Sequence, residues 1–211
     1  MLMSLQAFQI LNSKMLHDLI SPNSAISNGI ELLEEMGADK DCIQLIQNSS
    51  QNLKSLLTYY RIAYGNGGLP ALPQDYYREL QKVSNDFFKP KHITFSWDEE
   101  TSYDRPNYNL EIKLLSNLLV ITCDLLPRGG HVHIKQGQKN FPFLLELTSD
   151  SKKIDPNKLK PILHPGVFQV DNDLDINNIR AYFAACLANM LHLKIGITEN
   201  HSADIIQISV Q

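Results

Sequence analysis

The most informative short pattern in this sequence is a histidine followed by an acidic residue, with a proline five positions after the histidine. His17 and Asp18 are adjacent, and Pro22 follows about one helical turn later. Imidazole is neutral over much of the physiological pH range and nucleophilic, so it can accept a phosphoryl group and pass it to a carboxylate. Asp18 could orient or polarise the ring, and Pro22 would disturb a helix here. So short a pattern also recurs by chance, and an ordinary surface histidine is the simpler interpretation until the context is considered.

The segment around His17 is predicted to be a long helix over residues 3 to about 36. Its apolar residues recur at spacings of three, four and seven and form one stripe: Leu5, Phe8, Met15, Leu19, Ile26, Ile30 and Leu33. At about 100° per residue, His17 lies nearly opposite the centre of that stripe. Small polar residues share its outward side, which leaves the ring accessible to another protein. The neighbours predicted to contact such a partner are Ile20, Ser21, Ser24 and Asn28.

A second helix is predicted over residues 41–64, after a turn that begins at Gly37. Glycines at positions 65, 67 and 68 end it. Two helices alone cannot bury both flanks of such stripes, because most helical stability comes from tertiary packing. We therefore expect a helical hairpin that pairs with a second copy, giving a homodimer built on a four-helix bundle.

The composition changes after the second helix. Residues 65–73, GNGGLPALP, are typical of a linker and divide the chain into domains at 1–66 and 67–211. In the second part, helices are predicted over 75–88, 110–126, 157–163 and 177–192, and strands over 93–97, 131–135, 143–148, 194–198 and 205–210. This pattern predicts an α+β domain with helices on one face of a mostly antiparallel sheet. The last helix should turn Ile179, Phe183, Cys186, Leu187 and Met190 inward.

Composition excludes several classes of function. The 211 residues carry a net charge of −4 without a basic tract, which disfavours nucleic-acid binding. No apolar run approaches the roughly 20 residues that span a bilayer, and the first residues do not resemble a signal peptide. Three widely spaced cysteines, Cys42, Cys123 and Cys186, predict buried free thiols and a cytoplasmic protein. His131 and His133 share one face of a predicted strand, but no third ligand supports a metal site there.

Two segments resemble parts of sensor histidine kinases. HDLISPNSAISNGIELLEE, which begins at His17, resembles the helix that carries the phosphorylated histidine, and its continuation is more similar to the ChpT family of bacterial histidine phosphotransferases. LLSNLLVITCDLLPRGGHVHI, residues 114–134, resembles the asparagine-bearing helix of a kinase ATP-binding domain together with the turn and strand that follow it. The two segments stand in kinase order, and beyond residue 136 only the pattern of elements matches.

Departures from the kinase pattern remove the groups that would bind nucleotide. The kinase helix has two asparagines four residues apart; Asn117 matches the first, Ile121 replaces the second, and Asp124 stands where a lysine is typical. Neither a DxGxG pattern after residue 147 nor a GxGLG pattern before residue 177 is present. Glycines let backbone approach phosphates, and Mg²⁺ requires oxygen ligands. We expect a degenerate kinase-like domain without nucleotide, and no cofactor held by this chain.

The resemblance implies a histidine phosphotransferase of a two-component phosphorelay. His17, assisted by Asp18, would accept a phosphoryl group from the phosphoaspartyl receiver domain of a hybrid histidine kinase and donate it to response regulators, with Mg²⁺ on the receivers only. Two alternatives are a pseudokinase module that sequesters receivers while His17 is incidental, and an ATP-dependent kinase. The missing nucleotide boxes argue strongly against the kinase.

Overall fold

The structure is a computed structural model that describes residues 3–37, 39–65, 73–99, 107–136, 142–149, 159, 162, 173–200 and 205–210. Among the helices in these ranges, none combines the length and the apolar character that crossing a bilayer requires. The predicted short helix over 157–163 lies outside the described residues, apart from Leu159 and Ile162, which are both buried.

Two long helices begin the chain, α1 over Leu5–Met36 and α2 over Lys40–Tyr64. The Ser4 hydroxyl caps α1 by accepting a hydrogen bond from the Ala7 amide at 3.1 Å. Gly37 ends α1 at φ +81°, a backbone conformation that favours glycine. The helices pack antiparallel and closely, because a Cβ at Gly29 would lie 2.6 Å from Cγ1 of Ile46. Residue 29 must therefore be small for this crossing.

The predicted apolar stripe of α1 is only partly covered within one chain. The side that faces α2 and the rest of the protein carries Ala7, Leu11 and Gly29, which are buried. Leu5 is 74% exposed, Phe8 is 58% exposed and Ile30 is 46% exposed. On α2, Ile43, Leu45 and Leu57 are also exposed. The two helices thus leave apolar side chains uncovered along their outer sides.

The second part of the chain is built on a mixed five-stranded sheet. Its strands are β1 (Ile93–Trp97), β2 (Gly130–Gln136), β3 (Phe143–Ser149), β4 (Ile195–Asn200) and β5 (Ile205–Val210). The order across the sheet is β1-β2-β3-β5-β4, in which β1 and β2 are parallel and the other pairs antiparallel. Burial alternates along β2 and β3, so one face of the sheet enters the core. This confirms the predicted α+β layer with a mostly antiparallel sheet.

Helices α3 (Pro73–Phe88), α4 (Tyr108–Leu125) and α5 (Ile179–Met190) accompany the sheet, and a 3₁₀ turn, Lys89–Lys91, follows α3. Helix α4 is central to the core, with Leu114, Leu118, Leu119 and Val120 fully buried. In α5 the predicted inward residues Ile179, Cys186 and Leu187 are buried, but the prediction for Met190 was wrong, because its side chain is 54% exposed. Met190 is the last residue of α5, and at this end of the helix the next residue, Leu191, enters the core instead.

Specific polar and aromatic contacts join the first two helices to the rest of the protein. The Tyr59 hydroxyl donates a hydrogen bond to the Ser116 carbonyl at 2.6 Å, and its ring stacks on Phe87 at a centroid distance of 4.6 Å. The Asn117 amide donates to the Ala63 carbonyl at 3.1 Å. Tyr59 and Asn117 are fully buried, so α2 and α4 are held at a defined separation.

Candidate functional site

His17 projects from the middle of α1 into solvent. Its side chain is 71% exposed, and the neighbouring Ser21, Ser24 and Asn28 on the same side of the helix are exposed as well. Ile20 is 61% exposed and lies further round the helix, away from this row. The ring therefore stands on a rigid element without bulky neighbours in front of it, as the periodicity of α1 predicted.

An open cleft of about 490 Å³ runs beside His17. One wall is α1, which contributes His17, Asp18, Ser21 and Pro22, and part of the floor is α2. The second part of the chain supplies the rest of the lining with Asp86, Phe87, Pro90, Lys91, Asp124 and Arg180. The histidine therefore stands at the mouth of a groove that both parts of the chain build, whereas Ser24 and Asn28 lie further along α1, outside the lining.

The Asp18 carboxylate is held by three side chains. Nη2 of Arg180 and the Tyr60 hydroxyl both donate to its Oδ2, the latter at 2.6 Å, and Nη2 of Arg180 also donates to the Tyr60 oxygen at 2.9 Å. The other carboxylate oxygen, Oδ1, lies 3.2 Å from Nζ of Lys14 and 3.6 Å from Nδ1 of His17. Asp18 is thus fixed through one oxygen and presents the other towards the histidine ring.

Burial and charge act against each other on Asp18. Burial raises the pKa of a carboxyl group, but here Arg180, the Tyr60 hydroxyl and Lys14 outweigh it, so the pKa of Asp18 lies below its usual range. Burial also raises the pKa of the Tyr60 phenol well above its usual range, which keeps that hydroxyl protonated as a donor. Asp18 is therefore a carboxylate at neutral pH and accepts hydrogen bonds from its partners.

Replacing Asp18 by Asn should destabilise the protein in a pH-dependent way. The folded-state pKa of Asp18 is depressed, so its stabilising contribution is present above the unfolded pKa of about 3.9 and is lost as pH falls through the lower folded value. With a side chain that is 20% exposed, we expect Asp18→Asn to lower the free energy of unfolding by about 2 kcal/mol at pH 7. Urea unfolding at several pH values measures this change. The difference in the free energy of unfolding between wild type and Asp18→Asn should narrow below pH 4. A difference that stays constant from pH 7 to pH 3 would contradict a depressed pKa of Asp18 in the folded protein.

Sequence reasoning missed two members of this network. Neither Tyr60 nor Arg180 was predicted to be a site residue. Arg180 is 162 residues from Asp18 in the chain, so no local spacing connects them. A buried arginine on an otherwise apolar helix is the one available signal, since arginine is rarely buried without a partner.

Helix α4 resembles the asparagine-bearing helix of kinase ATP-binding domains. Its two positions that correspond to the kinase asparagines, Asn117 and Ile121, pack inside the protein. Asn117 is fully buried and donates to the carbonyls of Ala63 and Lys113. Ile121 is 2% exposed and belongs to the main apolar core. Asp124, near the end of α4, lines the His17 cleft. Neither Asn117 nor Ile121 offers an oxygen to solvent.

The pair of histidines on β2 faces the outer side of the sheet. His131 contacts Thr94 Oγ1 at 2.9 Å and Ser96 Oγ at 2.8 Å, and His133 contacts Asp98 Oδ1 at 2.9 Å. Both rings are thus engaged by side chains of β1 and the residue after it. Within the described ranges, no group of three or more His, Cys, Asp or Glu side chains could hold a metal ion.

Comparison with known proteins defines the class to which this fold and site belong. The family model of the histidine phosphotransferase C-terminal domain matches residues 77–203, which is more than half of the chain. The chain belongs to the histidine phosphotransferase family, as the resemblance of its segments predicted.

Individual relatives show which members of the family this chain is similar to. Protein phosphotransferase ChpT of Brucella abortus (strain 2308) is 33% identical over 190 residues, which cover 89% of this chain and 88% of the relative. A solved structure of a bacterial phosphotransferase superposes with a TM-score of 0.78 at 30% identity, covering 100% of this chain and 98% of that chain. The Acinetobacter baumannii histidine kinase AdeS is more distant, with a TM-score of 0.44 and 12% identity over 92% of this chain and 97% of that chain. The chain is thus similar over nearly its whole length to ChpT.

Proposed function

We propose that this protein is a phosphorelay carrier that acts through phosphohistidine on His17. It accepts the phosphoryl group from a phosphoaspartyl receiver domain of a hybrid histidine kinase and donates it to the receivers of response regulators. The observation that carries this proposal is the exposure of His17 at the mouth of a cleft, in a chain that belongs to the histidine phosphotransferase family. A histidine with 71% of its side chain exposed can be reached by the large, convex surface of another protein domain.

The geometry around His17 favours one ring nitrogen as the nucleophile. Oδ1 of Asp18 faces Nδ1, and a carboxylate on that side favours the tautomer with the proton on Nδ1 and a lone pair on Nε2. Nε2 attacks the phosphorus, the bond between phosphorus and the aspartyl oxygen breaks, and the electron pair leaves with the carboxylate. The positive charge that the ring gains is stabilised by Asp18. In the second transfer an acceptor aspartate attacks the phosphorus, the P–N bond breaks and neutral imidazole returns.

Docking of the receiver explains the arrangement of the cleft. A receiver that approaches His17 would meet Ser21 on α1 and Phe87, Pro90 and Lys91 on the opposite wall. Ser24 and Asn28 extend this surface along α1, and Ile20, further round the helix, is the remaining proposed partner contact. The receiver brings its own Mg²⁺, so catalysis here consists mainly of positioning the two reacting groups.

The second part of the chain is proposed to act without nucleotide. At the position where kinases carry a ligand asparagine, Ile121 is buried in the core, and Asn117 already uses its amide on two carbonyls. An apolar side chain leaves Mg²⁺ without an oxygen ligand. We also propose a division into an α1–α2 domain, residues 1–66, and a kinase-like domain, residues 67–211.

Two copies are proposed to pair through the outer sides of α1 and α2. The exposed apolar residues there, including Phe8, Ile30 and Leu57, would be covered in a four-helix bundle. Cys42 and Cys186 are buried free thiols, which are typical of a reducing compartment, so the proposed location is the cytoplasm.

Donor-dependent labelling tests the proposed function. We expect no acid-labile label when the purified protein is incubated with labelled ATP alone, and rapid label when a hybrid kinase with its receiver is added. Labelling by ATP alone would make the protein a kinase. Stable receiver binding without any labelling, with a donor shown to be active, would favour a sequestering pseudokinase module.

A further inference from the structure

The buried arginine on α5 contacts the residue next to His17 from the other end of the chain. The Arg180 side chain is 8% exposed, and its Nη2 donates to Oδ2 of Asp18 and to the Tyr60 hydroxyl. The Tyr60 hydroxyl donates to the same Oδ2. Three side chains from α1, α2 and α5 therefore close a triangle of hydrogen bonds, which we term the Asp18 clasp (Asp18, Tyr60 and Arg180).

Stability alone is a poor reason for such a clasp. Removing two charges from water costs several kcal/mol per ion, and apolar residues of similar volume often serve stability as well or better. Other contacts already join the two parts of the chain, among them the Tyr59 hydrogen bond to Ser116 and the ion pair of Arg61 with Glu79. The clasp differs from these because its carboxylate belongs to the neighbour of His17.

The clasp also determines where the second oxygen of Asp18 points. Both donors hold Oδ2, which leaves Oδ1 for Lys14 at 3.2 Å and for Nδ1 of His17 at 3.6 Å. A carboxylate held by two donors on one oxygen cannot rotate freely about its terminal torsion, so the direction of the second oxygen is fixed. The ring of His17 is exposed and has little else to orient it.

We propose that Arg180 and Tyr60 are positioning residues for phosphoryl transfer: they hold Asp18 so that its Oδ1 orients the ring of His17. This inference rests on the proposed function. It assigns to the kinase-like domain a part in the transfer step, because that domain supplies Arg180 to the site on α1.

Transfer kinetics at saturating donor test the inference. Arg180→Met removes the guanidinium, Tyr60→Phe removes one donor while keeping the ring, and Arg180→Lys restores a cation. Because small misplacements of reacting groups cost large factors in rate, we expect a loss of about 10-fold to 100-fold in the maximal transfer rate for Arg180→Met. Tyr60→Phe should lose less, Arg180→Lys should recover part of the rate, and the donor concentration at half-maximal rate should stay close to the wild-type value.

Arg61→Gln is the matched control, because it breaks another ion pair between the two parts of the chain without touching Asp18. It should transfer at the wild-type rate. Rates are scored on folded protein, checked by circular dichroism. Wild-type rates in both Tyr60→Phe and folded Arg180→Met, or an equal loss in Arg61→Gln, would overturn the inference.

A spectroscopic measurement separates this inference from the proposed function. The ¹⁵N shifts of the His17 ring report its tautomer and need no donor protein. We expect the Nε2-unprotonated form to be less populated in Arg180→Met and Tyr60→Phe than in wild type and in Arg61→Gln. Unchanged ring shifts would overturn the positioning role, whereas failure of wild type to accept label from an active donor would overturn the proposed relay instead.

Discussion

Replacing His17 by Gln should abolish phosphorylation and leave the fold intact. Glutamine has no nucleophilic ring nitrogen, so no P–N bond can form, and label from the donor should fall to background. The His17 side chain is 71% exposed, so the free energy of unfolding should change by no more than about 0.5 kcal/mol. Acid-labile label measured with the hybrid kinase and its receiver, together with urea unfolding, checks both parts of this prediction.

A second histidine serves as the control for His17→Gln. His192 is exposed and adopts a left-handed backbone conformation with φ +57°, which Asn tolerates better than most residues. His192→Asn should therefore fold and accept label as wild type does. Label that persists in His17→Gln would show that another residue carries the phosphoryl group. Receiver binding is a separate measurement: equal affinity of wild type and His17→Gln for the receiver would show that docking does not need the imidazole ring.

The helices and strands were predictable because their hydrophobic periods are distinct. The long 3.6-residue pattern around His17 predicted α1, and short apolar segments between turn residues predicted the strands of a mostly antiparallel sheet. The exposure of His17 followed from the same periodicity, because a helix fixes which side each residue faces. Local rules were sufficient for these features.

The Asp18 clasp could not be predicted, because it depends on how distant elements pack. Arg180 and Tyr60 reach Asp18 from 162 and 42 residues away in the chain. The helical pattern of α5 shows Arg180 only as a polar residue in a mostly apolar helix, without indicating its partner. The same limit explains Met190, which fits the helical pattern but is exposed because Leu191 enters the core at that end of α5.

For Asn117 and Ile121 on α4, the sequence predicted which function is lost and the structure shows which role the side chains have. The sequence showed that Ile121 replaces an asparagine, and this predicted the loss of a ligand. The structure adds what these residues do instead: Ile121 fills the core, and Asn117 ties α4 to the end of α2 through the Ala63 carbonyl. The helix therefore supports the site on α1 through packing.

Placing an acidic residue at Ile30 should convert a dimer into a monomer of 23.9 kDa. Ile30 is 46% exposed in one chain, on the side of α1 that carries Leu5 and Phe8. In a symmetric pair each substitution acts twice, and burial of the remaining exposed half of one such side chain contributes about 1 kcal/mol, so Ile30→Glu should weaken dimerisation by about 2 kcal/mol, roughly 30-fold. Light scattering coupled to size-exclusion chromatography, over a range of protein concentrations, measures the change.

Leu32→Glu is the matched control for Ile30→Glu. Leu32 is 37% exposed on the same helix, but two residues correspond to about 200° of rotation, so it faces the opposite side. The control should remain dimeric, because a charge there meets solvent. Equal dissociation of both variants would mean that acidic residues on α1 disturb the helix itself. A wild-type protein that is monomeric at every concentration would contradict the proposed dimeric four-helix bundle.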